Sequence, residues 1–400
     1  MKRASAGAAS LWQVESTCER ETWKTLEASV EVDVLVIGSG LAGLSISRAL
    51  TARGRKPFVV DAFGVGSGAS ARNGGFVLVT HICDYPAMRA RIGAENARVL
   101  LRAAEANHAA VKSVFQAHAH LGYQTVGSLM LSVEGDDAEA AVLSEAYALL
   151  KEDGVHAEFV KVPEALAGFT TALRIPSDGE VHPGFLNGML AEGVHGALAT
   201  IQSIDFEAHR ATTSTGLVLA YRDLVIATNA WSANLVPELA GIIDANRGQM
   251  LATEPLPKAF ESVCYAGWGY EYFRQRQSDG RVLLGGRRAL FRDVEHTDES
   301  EPTAEVQASL DDYLHRHMPF TKGRAITHRW AGIMGFSPDD LPLVGALPGR
   351  DAFILAGFSG HGLGLALSCA EDLATLVTSL ETTALTRLLN PSRFPAMVPR

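Results

Sequence analysis

The chain has 400 residues, of which 47% are hydrophobic and 20% charged, and its formal net charge is −10. This composition is typical of a globular protein, excludes a disordered chain, and is long enough for two domains. The acidic balance argues against nucleic acid as a partner and favours a small-molecule ligand. We expect a cytoplasmic protein without a membrane partner, because the N-terminus is too weakly apolar for a secretory signal and no apolar run could span a bilayer.

The four cysteines are scattered along the chain, without a CxxC pair and without the spacing of a metal site. This pattern predicts reduced thiols and no metal ligand set. They are Cys18, Cys83, Cys264 and Cys369.

The first predicted elements form a βαβ unit. The apolar run "DVLVI" (33–37) predicts a buried parallel strand, the next residues a helix that ends at Gly54, and "PFVVDA" (57–62) a second strand. The later predicted elements are, in chain order, a helix over about 93–120, a strand over 128–133, a helix ending near Gly154, two strands within 217–232, a strand-rich region over 248–290, a helix over 303–317, a strand in "AFILAG" and a final helix from about Leu363.

The glycine-rich stretch "GSGLAG" (38–43) lies between the first strand and the first helix. Gly38 permits the tight turn, Gly40 lets the backbone approach a pyrophosphate, and Gly43 lets the helix pack against the strand. Asp61, at the end of the second strand, is placed to bind ribose hydroxyls. Although glycines also occur in ordinary turns, this combination predicts a dinucleotide site.

A second glycine-rich loop, "GVGSGASARNGGF" (64–76), follows the acidic residue closely. Its backbone amides can add to an anion-binding nest, and Arg72 can add positive charge. A flexible surface loop is the alternative interpretation.

We therefore predict an α/β fold in which a Rossmann-type nucleotide-binding domain is discontinuous. The segments assigned to this domain are 30–84, 155–235 and 326–400. A mixed α+β substrate domain, formed by residues 85–154 and 236–325, is inserted into it.

Four motifs, with the first glycine-rich stretch, resemble the FAD-dependent D-amino-acid oxidase and glycine oxidase superfamily. They are "VGSGASARNGG" (65–75), "LVIATNAWS" (224–232), "WAGIMGFSPDDLPLVG" (330–345) and "LAGFSGHGLGLALS" (355–368). The resemblance is closest to the branch that contains γ-glutamylputrescine oxidoreductases, and "SLWQVES" (10–16) looks like the strap that precedes the first strand in this branch. It implies a glutathione-reductase-like FAD domain and oxidation of a C–N bond. The resemblance is weak across residues 85–180 and 255–325.

The resemblance also implies which residues contact FAD. No cysteine occurs within 330–350, and the context of His81 does not match a flavin-linking histidine, so we expect noncovalent FAD. The expected FAD-contact residues are Gly38, Gly40, Leu41, Ala42, Gly43, Asp61, Ala62, Ser67, Gly68, Ala69, Ser70, Arg72, Asn73, Gly74, Gly75, Ile201, Thr228, Trp231, Gly335, Asp339, Gly357, Ser359, Gly360, Gly362, Leu363 and Gly364.

The stretch "FSGHGLG" (358–364) is expected to open the last helix beside the flavin ring. Hydride transfer from an amine carbon places negative charge on the ring, and preorganised amides at a helix N-terminus stabilise such charge. His361 is interpreted as a positioning or charge-stabilising residue, with a direct acid–base role as the alternative.

An aromatic run, "GWGYEYF" (267–273), is a candidate substrate pocket, since aromatic surroundings favour the neutral amine that hydride loss requires. Core packing is the alternative for this run. Arg274 or Arg288 could bind a carboxylate, whereas Glu271 could bind a distal cation. The predicted catalytic residues are His361, Tyr270, Tyr272 and Arg274.

The chain departs from the sarcosine-oxidase branch in two places. Gly364 stands where that branch has a substrate-binding lysine, and "RVLLGGRR" (281–288) has no counterpart of its oxygen-activating lysine. Oxidation of N-methylglycine and efficient use of oxygen are therefore not implied. The alternatives to amine or amino-acid oxidation are an FAD-dependent RNA-modification protein and a non-catalytic flavin subunit of a larger dehydrogenase.

Overall fold

A computed structural model describes residues 8–16, 23–80, 84–116 and 122–397 of the chain. Its strands are β1 (Val30–Ile37), β2 (Pro57–Asp61), β3 (Phe76–Val77), β4 (Gln124–Thr125), β5 (Ser128–Val133), β6 (Glu158–Val160), β7 (Phe169–Ile175), β8 (Gly179–Glu180), β9 (Gly196–Leu198), β10 (Ile201–Asp205), β11 (Arg210–Thr213), β12 (Val218–Ile226), β13 (Asp244–Thr253), β14 (Val263–Ala266), β15 (Glu271–Gln275), β16 (Val282–Gly286), β17 (Ile326–Phe336), β18 (Leu343–Ala346) and β19 (Phe353–Ala356).

The α-helices lie between these strands and at both ends of the described chain. They are α1 (Leu11–Glu15), α2 (Leu41–Ala52), α3 (Tyr85–Ile92), α4 (Ala94–Val114), α5 (Asp137–Glu152), α6 (Pro183–Ala191), α7 (Arg292–Glu295), α8 (Ala304–His317), α9 (Gly362–Ser379) and α10 (Ala384–Leu388).

The first large sheet is built around parallel strands. β1 lies between β12 and β2, with Ile37 opposite both Ile226 and Val60, and β9 and β19 extend the parallel part at the two sides. The inner strands are continuously apolar because both sheet faces are covered. Helices α2 and α9 pack against each other on one face, where Leu44 and Leu373 are fully buried. The predicted βαβ unit is thereby confirmed.

One long strand occupies the segment for which two strands were predicted. β12 runs over residues 218–226 and is followed by a 3₁₀ turn, Asn229–Asn234. The strand does not break at the polar residues Arg222 and Asp223 but changes partner there, from antiparallel β11 to parallel β19. The prediction of two strands was therefore wrong.

The second large sheet has the order β17-β13-β16-β15-β14-β5-β7-β6 and is antiparallel except for the pair β14 and β5. We propose that the two large sheets are the centres of the two predicted domains. At two places the sheets depart from the predicted division. β6 and β7 join the second sheet through β5, although 155–235 was assigned to the nucleotide domain. β17 pairs with β13 along its whole length, although 326–400 was assigned to the same domain.

Asp178 and His108 form a buried pair of titratable groups. Asp178 is fully buried, accepts hydrogen bonds from the Val79 amide and the Ser128 hydroxyl, and lies 3.9 Å from Nε2 of His108. Burial raises the pKa of Asp178 to about 7 and lowers the pKa of His108 to about 4. The neutral forms of both groups are therefore favoured in the fold.

Two of the four cysteines, Cys264 and Cys369, are buried free thiols whose pKa values are raised by burial. Cys18, Cys83 and His81 lie outside the described residues. Within the described ranges, no single helix has the length and apolarity to cross a membrane. In these ranges, only the helix pair Gly362–Ser379 and Ala384–Arg393, which is bent by 94°, has that length and apolarity when its two parts are taken together.

Candidate functional site

A cavity of about 1050 Å³ opens where the carboxyl ends of the parallel strands β1, β2 and β12 meet. Ile37, Val60 and Ala227 line it at these strand ends, and Gly248 and Tyr272 line it on the second sheet. Ligands of parallel α/β sheets bind at this position, outside the carboxyl ends of the strands.

Most of the predicted FAD-contact residues line this cavity. They are Gly38, Gly40, Leu41, Ala42, Asp61, Ala62, Ser67, Gly68, Ala69, Ser70, Arg72, Asn73, Gly74, Gly75, Ile201, Thr228, Trp231, Ser359, Gly360, Gly362 and Leu363. The structure therefore brings together segments that are more than 300 residues apart in sequence.

The first glycine-rich stretch is shaped by close backbone contacts. Gly38 has a φ of +109°, and a Cβ there would lie 2.5 Å from the Ala227 carbonyl oxygen. A Cβ on Gly43 would lie 1.8 Å from the Gly38 carbonyl oxygen, and Gly43 itself does not line the cavity. Gly43 thus serves helix-to-strand packing, as its position in the motif predicts.

The N-terminus of α2 faces the cavity beside the second glycine-rich loop. Its N-cap, Gly40, provides no side-chain cap, and the Leu41 amide donates to Ser70 Oγ at 2.7 Å. Since Gly40, Leu41 and Ser70 all line the cavity, the helix start and the loop form one surface. The free amides and the helix dipole make this surface suited to a phosphate.

The Asp61 carboxylate is held by backbone amides. Oδ2 accepts from the Ser39 amide at 2.8 Å, and Oδ1 accepts from Phe63 and Gly64 at 2.8 and 2.9 Å. A carboxylate offers about four acceptor positions, so one is left for a ligand hydroxyl in the cavity that Asp61 lines.

The first turn of α9 lines the opposite part of the cavity. Its N-cap, His361, makes no side-chain cap, and the Gly364 amide donates to the His361 carbonyl at 3.0 Å, so the amides of Gly362 and Leu363, which line the cavity, are those placed to bind a ligand. His361 Nδ1 lies 2.8 Å from the Ser359 carbonyl oxygen and donates to it. Burial lowers the pKa of His361, which favours the neutral ring over the cation. We therefore interpret His361 as positioning the loop, not as supplying a charge.

A residue that sequence reasoning missed supports this turn. Asn107, fully buried on α4, donates to the Leu363 carbonyl at 2.9 Å and accepts from the Leu367 amide at 2.9 Å. A regular helix would pair these two backbone groups with each other. The only sequence signal was an amide side chain within the Ala-rich stretch "RAAEANHAAV" (102–111).

Arg274 does not line the cavity, contrary to its prediction as a catalytic residue. The side chain is 1% exposed and donates to the carbonyl oxygens of Gly75 and Val181, both at 3.2 Å. It also forms a salt bridge of 3.3 Å with Glu180. Its charge is therefore used within the protein and cannot bind a substrate in the cavity.

Four other predicted FAD-contact residues also lie outside the cavity lining. Asp339 binds Arg393 at 2.7 Å, and despite opposing burial this contact keeps its pKa below the usual range. Gly335 and Gly357 anchor the loop instead, since Gly335 accepts from the Ser359 amide and Gly357 donates to Asn229. Gly364 faces the Leu78 carbonyl oxygen, 3.1 Å from where its Cβ would be.

Part of the predicted aromatic pocket is present. Trp268, Tyr270 and Tyr272 line the cavity, together with Tyr265, which sequence reasoning missed. Burial raises the pKa of Tyr272 to about 12, so its hydroxyl stays neutral. Phe273 points to the other side of the strand and is fully buried in the core.

The charged candidates are separated by the fold. Arg288 lines the cavity, with its guanidinium 5.1 Å from the ring centroid of Tyr270 and 4.4 Å from that of Phe336. Among the residues that the structure describes, it forms no hydrogen bond or salt bridge through its side chain. Glu271 does not line the cavity and forms a salt bridge of 3.1 Å with Arg287.

The cavity fits FAD. Trp231 lines it with a buried indole N–H that has no hydrogen-bond partner among the described residues. The same cavity is lined by the starts of two helices and by a carboxylate with an unused acceptor position, as a dinucleotide requires.

Comparisons with known proteins agree with this geometry. The family model of the FAD-dependent oxidoreductases, DAO, matches residues 33–376. The chain is 26% identical to the γ-glutamylputrescine oxidoreductase of Escherichia coli, covering 89% of this chain and 85% of the relative. It is 25% identical to the glycine oxidase of Pseudomonas putida, covering 87% and 95%.

The fold is also that of solved flavoenzymes. The crystal structure of L-proline dehydrogenase from P. horikoshii superposes with a TM-score of 0.76 at 21% identity, covering 93% of this chain and 100% of the other. The predicted α/β class, with a Rossmann-type FAD-binding fold and a second domain, is confirmed. The chain is an enzyme that belongs to the family of FAD-dependent oxidoreductases, DAO.

Proposed function

We propose that the enzyme oxidises the C–N bond of an amino acid whose carboxylate is bound by Arg288. FAD would accept the hydride that leaves the carbon bearing the neutral nitrogen, and the resulting iminium ion is hydrolysed by water to a 2-oxo acid and an ammonium ion. The observation that carries the proposal is the guanidinium of Arg288, which lines the cavity and has no carboxylate partner within the part of the chain that the structure describes.

Arg288 suits a carboxylate for two reasons. A guanidinium donates two parallel hydrogen bonds to a carboxylate, and no protein carboxylate forms a salt bridge with Arg288 among the described residues. Burial lowers the pKa of Arg288, because removing water from the guanidinium destabilises its charged form. An anionic substrate would restore that stabilisation.

A polyamine-type substrate is not supported by its predicted cation-binding residue, although Asp84, Asp298 and Asp340 also line the cavity. Such a substrate needs a carboxylate at its distal cation, and Glu271, the candidate for this role, is paired with Arg287 away from the cavity. Burial raises the pKa of Glu271, which further weakens it as an anion.

The aromatic residues contribute by controlling the protonation of the amine. A substrate nitrogen among Trp268, Tyr270 and Tyr272 loses water, which lowers the pKa of its ammonium form. The neutral amine retains the lone pair that assists hydride loss. The amides of Gly362 and Leu363 at the start of α9, which line the cavity, would stabilise the negative charge that FAD takes up on reduction.

The test is anaerobic titration of the purified holoenzyme with amino acids, simple amines and polyamines. We expect the flavin absorbance to bleach with at least one amino acid, and the matching 2-oxo acid to appear after turnover. Bleaching by polyamines alone would contradict the proposal. We also propose that FAD is held without a covalent bond, so acid precipitation should release all of the flavin into the supernatant.

A further inference from the structure

The N-terminal segment 8–16, which we call the strap, lies against the second glycine-rich loop. It contains the short helix α1, whose N-cap Ser10 forms a capping box with Gln13. Strap residues do not line the cavity, whereas residues 67–70 and 72–75 of the loop do. The loop therefore lies between the strap and the cofactor cavity.

Side chains of the strap donate hydrogen bonds to backbone carbonyl groups of the loop. Trp12 Nε1 donates to the Asn73 carbonyl at 2.7 Å, and Gln13 Nε2 donates to the Ser67 carbonyl at 3.3 Å. The Ser10 hydroxyl donates to the Ala71 carbonyl. In return, Arg72 donates to the Ala8 carbonyl at 2.8 Å.

These bonds have a geometric consequence for the cavity. In a planar trans peptide, the C=O of one residue and the N–H of the next point in opposite directions. When the carbonyls of Ser67 and Asn73 face the strap, the amides of Gly68 and Gly74 face the other way. Both glycines line the cavity.

The far side of the strap is anchored independently. The Trp12 ring is fully buried, with the guanidinium groups of Arg274 and Arg276 at 5.0 and 5.7 Å from it. Glu15 pairs with Arg276 at 2.5 Å and with His182 at 3.1 Å, contacts that outweigh burial and lower its pKa to about 2. Arg274, which does not reach the cavity, thus has a role in holding Trp12.

We propose that the strap raises the affinity for FAD by holding the loop so that the amides of Gly68 and Gly74 point into the cofactor cavity. The indole N–H of Trp12 is its central contact. The strap acts through the loop and does not touch the cofactor, so its residues are positioning residues.

The test compares two Trp→Phe substitutions, each of which removes an indole N–H group. Trp12→Phe removes the N–H that binds Asn73 and keeps an aromatic ring in place. Trp23→Phe removes a buried N–H that has no partner among the described residues. The holoenzymes are diluted, and the fluorescence of released FAD gives the dissociation constant.

We expect the dissociation constant of FAD to rise about tenfold in Trp12→Phe, as for the loss of one hydrogen bond, and to stay unchanged in Trp23→Phe. Gln13→Met, which removes the bond to Ser67, should raise it in the same direction. The thermal stability of the FAD-free proteins separates a merely structural effect, which would lower stability without changing FAD affinity. Wild-type affinity in both Trp12→Phe and Gln13→Met would overturn the proposal.

Discussion

Replacement of Arg288 by methionine tests the proposed carboxylate contact. Methionine keeps an unbranched side chain of similar length beside Tyr270 and Phe336, but removes the charge and all donors. The variant should therefore fold and bind FAD like the wild type. The loss should appear only in the recognition of carboxylate-bearing substrates.

The magnitude follows from the site. A bidentate guanidinium–carboxylate contact has two charge-assisted hydrogen bonds, each contributing about 1.5–3 kcal/mol. Arg288 is only half-buried, so we take the lower value for each, about 3 kcal/mol together. This corresponds to a loss of about 150-fold in kcat/KM for the amino acid.

The assay measures kcat/KM for an amino acid and for the amine that lacks only its carboxylate. Arg288→Met should lower the first about 150-fold and the second less than threefold. Arg292→Met is the matched control, because Arg292 also lies over Tyr270, at 5.7 Å, but does not line the cavity. An equal loss for both substrates, or the same loss in Arg292→Met, would refute the reasoning.

Three further predictions concern stability, measured by urea unfolding. Gly43→Ala should cost about 3 kcal/mol or more, because its Cβ would lie 1.8 Å from a backbone oxygen; an unchanged midpoint would contradict this. Asn107→Asp should cost about 2 kcal/mol or more by burying a carboxylate against a carbonyl, whereas exposed Asn96→Asp on the same helix should cost little. His108 binds fewer protons folded than unfolded between pH 6.5 and 4, so it makes stability fall as pH falls. Asp178 binds more protons in the folded than in the unfolded state over the same pH range, so its contribution offsets that of His108. In Asp178→Asn this offset is lost, and as pH falls the free energy of unfolding should decrease about 1.4 kcal/mol per pH unit more steeply than in the wild type. Equal slopes would contradict the assigned protonation states.

The parts of the site that were predictable from sequence are those whose geometry is local. The turn at Gly38, the start of α2 and the position of Asp61 depend on residues within one βαβ unit. The helix start at residues 359–363 is similarly local, because an apolar strand and a glycine-rich turn precede it.

The misses depend on distant contacts. Strand alternation puts Arg274 on the same face as Tyr272, two residues earlier. The groups that Arg274 contacts are Gly75, Val181 and Glu180, about 100–200 residues away in sequence. Arg288 was predicted from the sequence as an alternative to Arg274, but its place in the turn after β16 gave no periodic pattern to decide between the two. Asn107 was missed because its partners lie on α9, about 260 residues later.

The most direct test of the account is the anaerobic absorbance spectrum of the wild-type holoenzyme mixed with matched substrate pairs. Each pair is an amino acid and the amine of the same carbon skeleton without the carboxylate. The account predicts that the flavin is reduced by an amino acid at concentrations about 100-fold lower than by its paired amine. Reduction at equal concentrations, or reduction by the amine alone, would contradict the assignment of Arg288 as the carboxylate-binding residue.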